Sequence, residues 1–314
     1  KTPLIDLYNL IRLIIIFNKE KPDIIHNVAL KTIFLSSIAG LFSRKSIIIN
    51  AFTGLGYVFS SQQLKARIIR VFIKPLFRIV LKGKNYWTIF QNPDDMNLFY
   101  QLGMTVPERS VLIRGSGVNI NEFSKSIDNN KVPIVMLASR MLWDKGIAEF
   151  VEVAKRAHTK NINAKFILVG DVDIENPMSI PESIIKKWVN ENNIIWKGHC
   201  KNMPETLSSA SIICLPSYRE GLPKVLLEAA AIGRPLVATN VPGCREIVSN
   251  GYNGILVNLK DIDSLYNAII SLISNSEIRK KMGNNSRKLV EKEFSSDIIN
   301  SQTIKLYKRI KNTE

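Results

Sequence analysis

Acidic residues are missing from a long window of this chain: no aspartate or glutamate occurs from Ile24 to Pro93. The same window holds Lys31, Arg44, Lys45, Lys65, Arg67, Arg70, Lys74, Arg78, Lys82 and Lys84, and the 314 residues together carry a formal net charge of +16. A surface so biased wants an anionic partner: membrane, lipid phosphate or nucleic acid. No recognised nucleic-acid module accompanies the charge, which sets nucleic acid aside. Cysteine is scarce. Cys200, Cys214 and Cys244 show no paired spacing, so the chain reads as reduced and cytoplasmic, without a disulfide framework. No apolar run approaches the roughly 18 residues of a spanning helix, no secretory leader is visible, and neither repeats nor low-complexity stretches stand out. What is present is an ordinary globular composition, 46% hydrophobic and 22% charged, in a length sufficient for two domains with real cores.

Apolar runs alternate with helical patterns along the chain. Strands are expected at Asp23–His26, Ser46–Phe52, Tyr86–Gln91 and Ser110–Ile113, with helices over residues 4–17, 30–42 and 94–101. Gln62 to Lys84 reads as a basic amphipathic helix kinked at Pro75, with Arg67, Arg70, Lys74, Arg78 and Lys82 three or four apart. It is either the solvated face of a crossover helix or a surface that docks on an anionic bilayer, and the absence of acids favours docking. Ser124–Lys131, polar and charged, reads as a linker. Beyond it, strands are expected at 132–138, 165–169, 194–196, 212–215, 235–239 and 255–257, with helices from about Lys145 to Thr159, about 181–190, at 203–209 and after Gly221, then to the end. This alternation implies an α/β fold with parallel, doubly wound sheets.

The densest chemistry follows Ile212–Leu215, which stops at Pro216. Pro223 suits the first turn of the next helix, and a helix start after a strand offers unpaired N–H groups and a positive dipole end, hence an anion site. Glu220 stands at its mouth. Glu228 lies two turns in, among Leu226, Leu227, Ala229 and Ala230, with two acceptor oxygens suited to a vicinal diol such as a ribose. Arg140 and Lys145, five residues apart past a strand end, could reach one phosphate site. The dipole disfavours cations at a helix start unless an anion is bound there. Asp171-Val172-Asp173 mimics a metal-binding Asp-x-Asp, but the pattern is short and common, and it reads as loop polarity, with no metal required. His26 follows a strand and could face a cleft, while His158 and His199 have no partner at ligand spacing.

Two glutamates with seven residues between them, after Pro216-Ser217 and before the run Glu228 to Thr239, resemble the donor-site signature of the retaining GT-B glycosyltransferases of family 4. Ala138–Gly146, Val241–Val248 and Asn250–Val257 are similar to the same family in order and spacing, and the resemblance covers roughly residues 23–295. It implies two Rossmann-like doubly wound domains facing a cleft: a first, acceptor-side domain at 1–123, a nucleotide-sugar domain at 124–295, and a last helix at 296–314 crossing back to the first. The family's opening strand and glycine-rich loop have no counterpart before Asp23. An N-terminally truncated chain, with an incomplete first sheet and an unpaired edge, is therefore expected. By the same resemblance Arg140 and Lys145 hold the donor diphosphate. Glu220 contacts the donor sugar and helps organise the reaction centre, without being a nucleophile, and Glu228 takes the ribose hydroxyls. Gly170, Gly198, Gly221, Leu222, Pro223, Lys224 and Val225 complete the nucleotide-sugar site. His26, Thr53, Gly54, Gly56 and Tyr57 are the acceptor-side candidates. Many family members place a histidine where this chain has Thr53, so a histidine-assisted acceptor role is not carried over.

The resulting expectation is a retaining transferase with no cofactor or required metal. It moves a hexose or N-acetylhexosamine from a UDP-sugar to a polyprenyl-diphosphate-linked saccharide, peripheral on the inner face of the cytoplasmic membrane, in O-antigen, capsule or related surface-glycan assembly. Thr53–Phe59 resembles the branch that adds N-acetylgalactosamine or galactose. The alternative is a catalytically idle, membrane-associated fragment or subunit. The set Arg140, Lys145, Glu220 and Glu228 speaks against it.

Overall fold

The computed structural model describes residues 3–43, 46–55, 71, 74–75, 77–192 and 194–312. The chain forms two compact units, Lys1–Gly115 and Ser116–Glu314.

The first unit runs α1 (Pro3–Glu20), β1 (Ile24–Val28), α2 (Leu30–Gly40), β2 (Ile47–Phe52), β3 (Tyr86–Phe90), α3 (Pro93–Gln101) and β4 (Ser110–Leu112). Its strands pair in parallel in the order β1-β2-β3-β4. Every residue of β2 and β3 is buried, as expected of central parallel strands covered on both faces. Asn50 is tolerated in β2 because its Oδ1 accepts from Asn27 Nδ2 at 2.9 Å and from the Ser37 hydroxyl at 3.2 Å. Phe52, Phe77, Phe90 and Phe99 make an aromatic core, with Phe52 and Phe90 stacked at 5.6 Å. Asn92 caps α3 by accepting from the Asp95 N–H at 2.8 Å, ahead of Pro93 in the first turn.

The basic helix expected over Gln62–Lys84 is described only in part, and Arg67 and Arg70 lie outside the described residues. Its helical course ends at Val80, and residues 81–85 form a turn, so Lys82 and Lys84 stand beyond the helix and not on its face. The Gly83 N–H donates to the Val80 carbonyl and the Tyr86 N–H to the Gly83 carbonyl, both at 3.1 Å, a tight reversal that feeds β3.

The second unit contains β5 (Ile134–Ala138), α4 (Ile147–Thr159), β6 (Lys165–Val169), α5 (Glu182–Asn192), β7 (Ile194–Trp196), α6 (Met203–Ser208) and β8 (Ile212–Leu215). Then follow α7 (Lys224–Ile232), β9 (Leu236–Thr239), α8 (Cys244–Ile247), β10 (Gly254–Val257), α9 (Ile262–Ser274), α10 (Ser276–Glu293) and α11 (Ser296–Lys311). The six strands are parallel in the order β7-β6-β5-β8-β9-β10. Alternate strand residues feed two cores. Met136, Ala138, Ile213 and Leu215 join the helices of one face, and Val135, Leu137, Ile212 and Cys214 those of the other. This is the doubly wound order in which strand succession reverses between β5 and β8, the place where such sheets bind ligands beyond their C-terminal ends.

Two expectations about element limits are corrected. The helix expected from Lys145 starts at Ile147, after a 3-10 turn at Trp143–Lys145, because Gly146 adopts φ 71° and separates the two. The stretch 124–131 is not a free linker. Ser126 donates its N–H to the Ile232 carbonyl at 3.0 Å, and Asp128 accepts from the Ser211 hydroxyl at 3.0 Å, so its polar groups are tied to the second unit. The two compact units meet at Gly115/Ser116.

Candidate functional site

The loops after β5 and β8 leave the sheet side by side at the reversal point, and they carry the charged candidates. After β5 the chain turns through Ser139 and Arg140 into the 3-10 turn that holds Lys145. After β8 it runs through Pro216 to Gly221 before α7 begins. The two loops are joined at several points. The Tyr218 N–H donates to the Asp144 carbonyl at 2.8 Å, and the Tyr218 hydroxyl donates to Glu149 Oε1 at 2.6 Å. Thr239 donates its hydroxyl to the Ser217 carbonyl. At Gly146 a Cβ would run into the Pro216 carbonyl, and at Gly243 into that of Gly221, so only glycine permits these approaches, each at a positive φ.

This clamping brings Lys145 and Glu220 together: Nζ donates to Oε1 at 2.6 Å, with the two side chains 18% and 13% exposed. Arg140 has a different partner. Its Nη1 donates to Asp173 Oδ2 at 2.7 Å, in an exposed pair. The Asp171-Val172-Asp173 stretch thus carries the counter-ion of Arg140. Asp171 also places Oδ2 at 3.7 Å from His199 Nδ1. Gly170 and Gly198 meet through a 2.7 Å bond from the Gly170 N–H to the Gly198 carbonyl, and Trp196 Nε1 donates to the Gly170 carbonyl at 2.8 Å. Arg140, Gly170, Asp173, His199, Cys200 and Val225 line a cleft of about 470 Å³ at these strand ends.

Pro223 is corrected by one position: it is the N-cap of α7, with extended ψ 112°, and not a first-turn residue. Leu222 and Val225 pack on the apolar core, and Lys224 is exposed. Glu228 is only 7% exposed, and burial raises its pKa while the Lys224 ammonium, 3.4 Å away, pulls it back. Burial also raises the Cys244 thiol, with the Glu220 charge acting in the same direction. Among the described residues no group of three or more histidine, cysteine, aspartate or glutamate side chains could hold a metal ion.

On the first unit His26 is exposed on β1, and Thr53 and Gly54 follow the C-terminal end of β2. Gly56 and Tyr57 lie outside the described residues. Lys74 is half-buried and Lys82 exposed, while Arg78 directs Nε to the Leu102 carbonyl at 2.9 Å. Sequence reasoning missed Tyr218, Glu149 and Asp144, and it singled out Asp173 without its partner Arg140. Only the position of Asp144 and Tyr218 inside the two motifs hinted at them.

Residues 119–289 match the family described as glycosyl transferases group 1. The chain is 28% identical to the N,N'-diacetylbacillosaminyl-diphospho-undecaprenol alpha-1,3-N-acetylgalactosaminyltransferase of Campylobacter jejuni, over 98% of this chain and 82% of that one. It is 24% identical to the UDP-Gal:alpha-D-GlcNAc-diphosphoundecaprenol alpha-1,3-galactosyltransferase of Escherichia coli, over 92% of this chain and 76% of that one. Among solved structures, sucrose-phosphate synthase from Thermosynechococcus elongatus superposes with a TM-score of 0.82 at 22% identity, over 97% of this chain and 78% of that one. Anabaena Alr3699/HepE in complex with UDP gives 0.79 at 18%, over 96% and 82%. The fold is therefore that of the GT-B glycosyltransferases, as the motifs led us to expect.

Proposed function

This chain belongs to the glycosyl transferases group 1 family, and from that premise we propose that it moves a hexose or N-acetylhexosamine from a UDP-sugar to a polyprenyl-diphosphate-linked saccharide in surface-glycan assembly. The Campylobacter and Escherichia relatives, which act on undecaprenyl-diphosphate-linked saccharides by name, support the acceptor class. The observation that carries the reading is the pairing of Lys145 with Glu220 at the strand-order reversal, with Arg140 on the same loop as Lys145.

Departure of a nucleoside diphosphate leaves growing negative charge on the pyrophosphate and positive charge at the anomeric carbon. Arg140 and Lys145 neutralise the first, Arg140 as a planar fork and Lys145 as a point charge. The unpaired N–H groups at the start of α7 add to the same anion site. Glu220, held by Lys145, keeps a carboxylate beside the reacting sugar without being placed as a nucleophile. Glu228, with two acceptor oxygens in apolar surroundings, suits the ribose diol. With two side-chain cations on the leaving group, the reaction needs no metal or other cofactor, and it proceeds with retention at the anomeric centre.

The enzyme works as a peripheral protein on the inner face of the cytoplasmic membrane. No helix among the described residues is long and apolar enough to cross a membrane, and the acid-free basic window supplies the attraction to anionic lipid.

Calorimetric titration of UDP tests the reading. The chain should bind UDP, and an Arg140→Ala/Lys145→Ala variant should bind at least about a hundredfold more weakly, since two charge-assisted contacts are lost. No binding by folded protein would sink the UDP assignment. Equal binding by both proteins would remove Arg140 and Lys145 from the phosphate site.

A further inference from the structure

A second cavity, of about 480 Å³, lies within the second unit at the opposite end of its sheet. Ser211 and Pro235, which line it, precede β8 and β9, whereas the cleft described above lies past the strands' C-terminal ends. The segment 125–131 and the first turn of α10 form its other walls.

Its charge is one-sided. Lys125, Lys131 and Lys280 are exposed on it, and Arg234 and Arg279 are buried in its lining, against a single carboxylate, Asp128. That carboxylate is already engaged. Oδ1 accepts from the Asn130 N–H at 3.1 Å, from Asn130 Nδ2 at 2.9 Å and from the Ser211 hydroxyl at 3.0 Å, and Oδ2 lies 3.6 Å from Arg279 Nε. Arg234 is 1% exposed. Its Nη1 donates to the Ser126 carbonyl, and its Nη2 to the Ser126 hydroxyl and the Ser208 carbonyl. Among the described residues it has no carboxylate in ion-pair contact, and its Nε has no hydrogen-bond partner. Burial lowers its pKa, and the nearby Asp128 charge pulls it back up. A guanidinium taken out of water with no carboxylate in direct contact, sharing one carboxylate with Arg279, is costly unless a further anion compensates it. Arg279 is 9% exposed, with Nη1 on the Leu272 and Ile273 carbonyls at 2.7 and 2.9 Å, and Nε again has no hydrogen-bond partner among the described residues. It sits in the first turn of α10, whose positive dipole end adds to the field.

We propose that this cavity binds the phosphate ester of a small hydroxylated molecule, of sugar-phosphate size, at a site separate from the donor cleft. The exposed lysine rim takes the phosphate dianion, and the buried Arg234 and Arg279 add positive charge beneath it. Asn129, Asn284 and Ser276 supply neutral partners for hydroxyls. The volume lies within the roughly 300–1,000 Å³ typical of small-molecule pockets. The inference does not depend on which nucleotide the donor cleft takes.

A calorimetric titration of a hexose 6-phosphate into the full chain tests it, with the unphosphorylated hexose as control. Arg279→Ala risks misfolding because it would release two carbonyls, so the exposed pair Lys125→Ala/Lys280→Ala is used. Saturable binding is expected, weaker by at least about tenfold in that variant and changed by less than about twofold in Arg140→Ala/Lys145→Ala. Three results would overturn it: no binding, equal binding by the Lys125/Lys280 variant, or loss confined to the Arg140/Lys145 variant, which would put the anion in the donor cleft. Vesicles of phosphatidylglycerol in phosphatidylcholine separate the two sources of phosphate. Vesicle binding that depends on Lys125 and Lys280, without binding of the hexose 6-phosphate, would assign the site to a lipid headgroup and end the soluble-ligand reading.

Discussion

Tyr218 ties the loop that carries Glu220 to the turn that carries Lys145, by its backbone N–H on Asp144 and its hydroxyl on Glu149. Burial and the neighbouring Glu149 carboxylate both raise the phenol pKa, so the hydroxyl stays a donor through the physiological range. Glu149 Oε2 has no hydrogen-bond partner among the described residues, so Oε1 depends on the tyrosine. Tyr218→Phe should lower unfolding stability by about 1–3 kcal/mol, and Tyr218→Phe/Glu149→Leu should lose less than the sum of the single changes, read by urea unfolding in a double-mutant cycle. Glu228 behaves differently. Its folded pKa lies above the ordinary 4.5, so between those two values the native state binds more protons than the unfolded chain. Stability then falls as pH rises through that window, and the penalty is complete above it. Glu228→Gln should therefore be at least as stable as the parent at pH 7.5, with the difference vanishing below pH 4.5, while its affinity for UDP falls about tenfold, or about 1.4 kcal/mol. A variant less stable at pH 7.5 than at pH 4 relative to the parent would contradict this. These candidates could be picked out of the sequence because residue type and motif order expose them. Their partners could not. Asp173 meets Arg140, and Glu149 meets Tyr218, across loops whose contact no spacing encodes.

Strands and helices were the most legible level, since apolar runs bounded by Gly and Pro mark strands that parallel pairing buries on both faces. The departures have local causes. Gly146 ends the 3-10 turn in a left-handed conformation and so delays α4 to Ile147. Pro223 takes an extended ψ of 112° and caps α7 from outside. The reversal at Gly83 ends the basic helix before Lys82. The polar stretch 124–131 looked like a linker because its partners, Ile232 and Ser211, are distant in sequence. Gly146 has the largest consequence for the site, because the loop after β8 presses against it. Gly146→Ala should cost at least about 1–2 kcal/mol from the left-handed backbone alone. The clash with the Pro216 carbonyl should shift Glu220 away from Lys145 as well. Turnover should fall by more than the loss of folded protein explains, measured as kcat per folded molecule by comparison with near-UV circular dichroism. Unchanged kcat in a destabilised variant would mean that the glycine serves folding only.

For the molecule as a whole the relevant quantity is charge. The formal net charge is +16, and the window Ile24–Pro93 contributes cations without a single acid. An attraction built this way is additive over exposed cations and insensitive to the exact pose, unlike a bidentate site. Each basic residue held near an anionic surface contributes about 1 kcal/mol, and the attraction is screened beyond about 10 Å at 0.1 M salt. Among the described cations of the expected docking face, Lys82 is exposed and free of ion pairs in the described residues, Lys74 is half-buried, and Arg78 already donates to the Leu102 carbonyl. Lys82→Gln should therefore reduce partitioning onto phosphatidylglycerol-containing vesicles about fivefold, and Arg78→Gln should reduce it less while also lowering stability. Raising salt from 0.1 to 0.5 M should release all variants together. Co-sedimentation across that salt range decides the matter. Retention at high salt would mean that burial of apolar side chains holds the protein to the membrane, and the exposed Leu4, Ile5, Tyr8, Ile11 and Ile15 of α1 would then be the place to look.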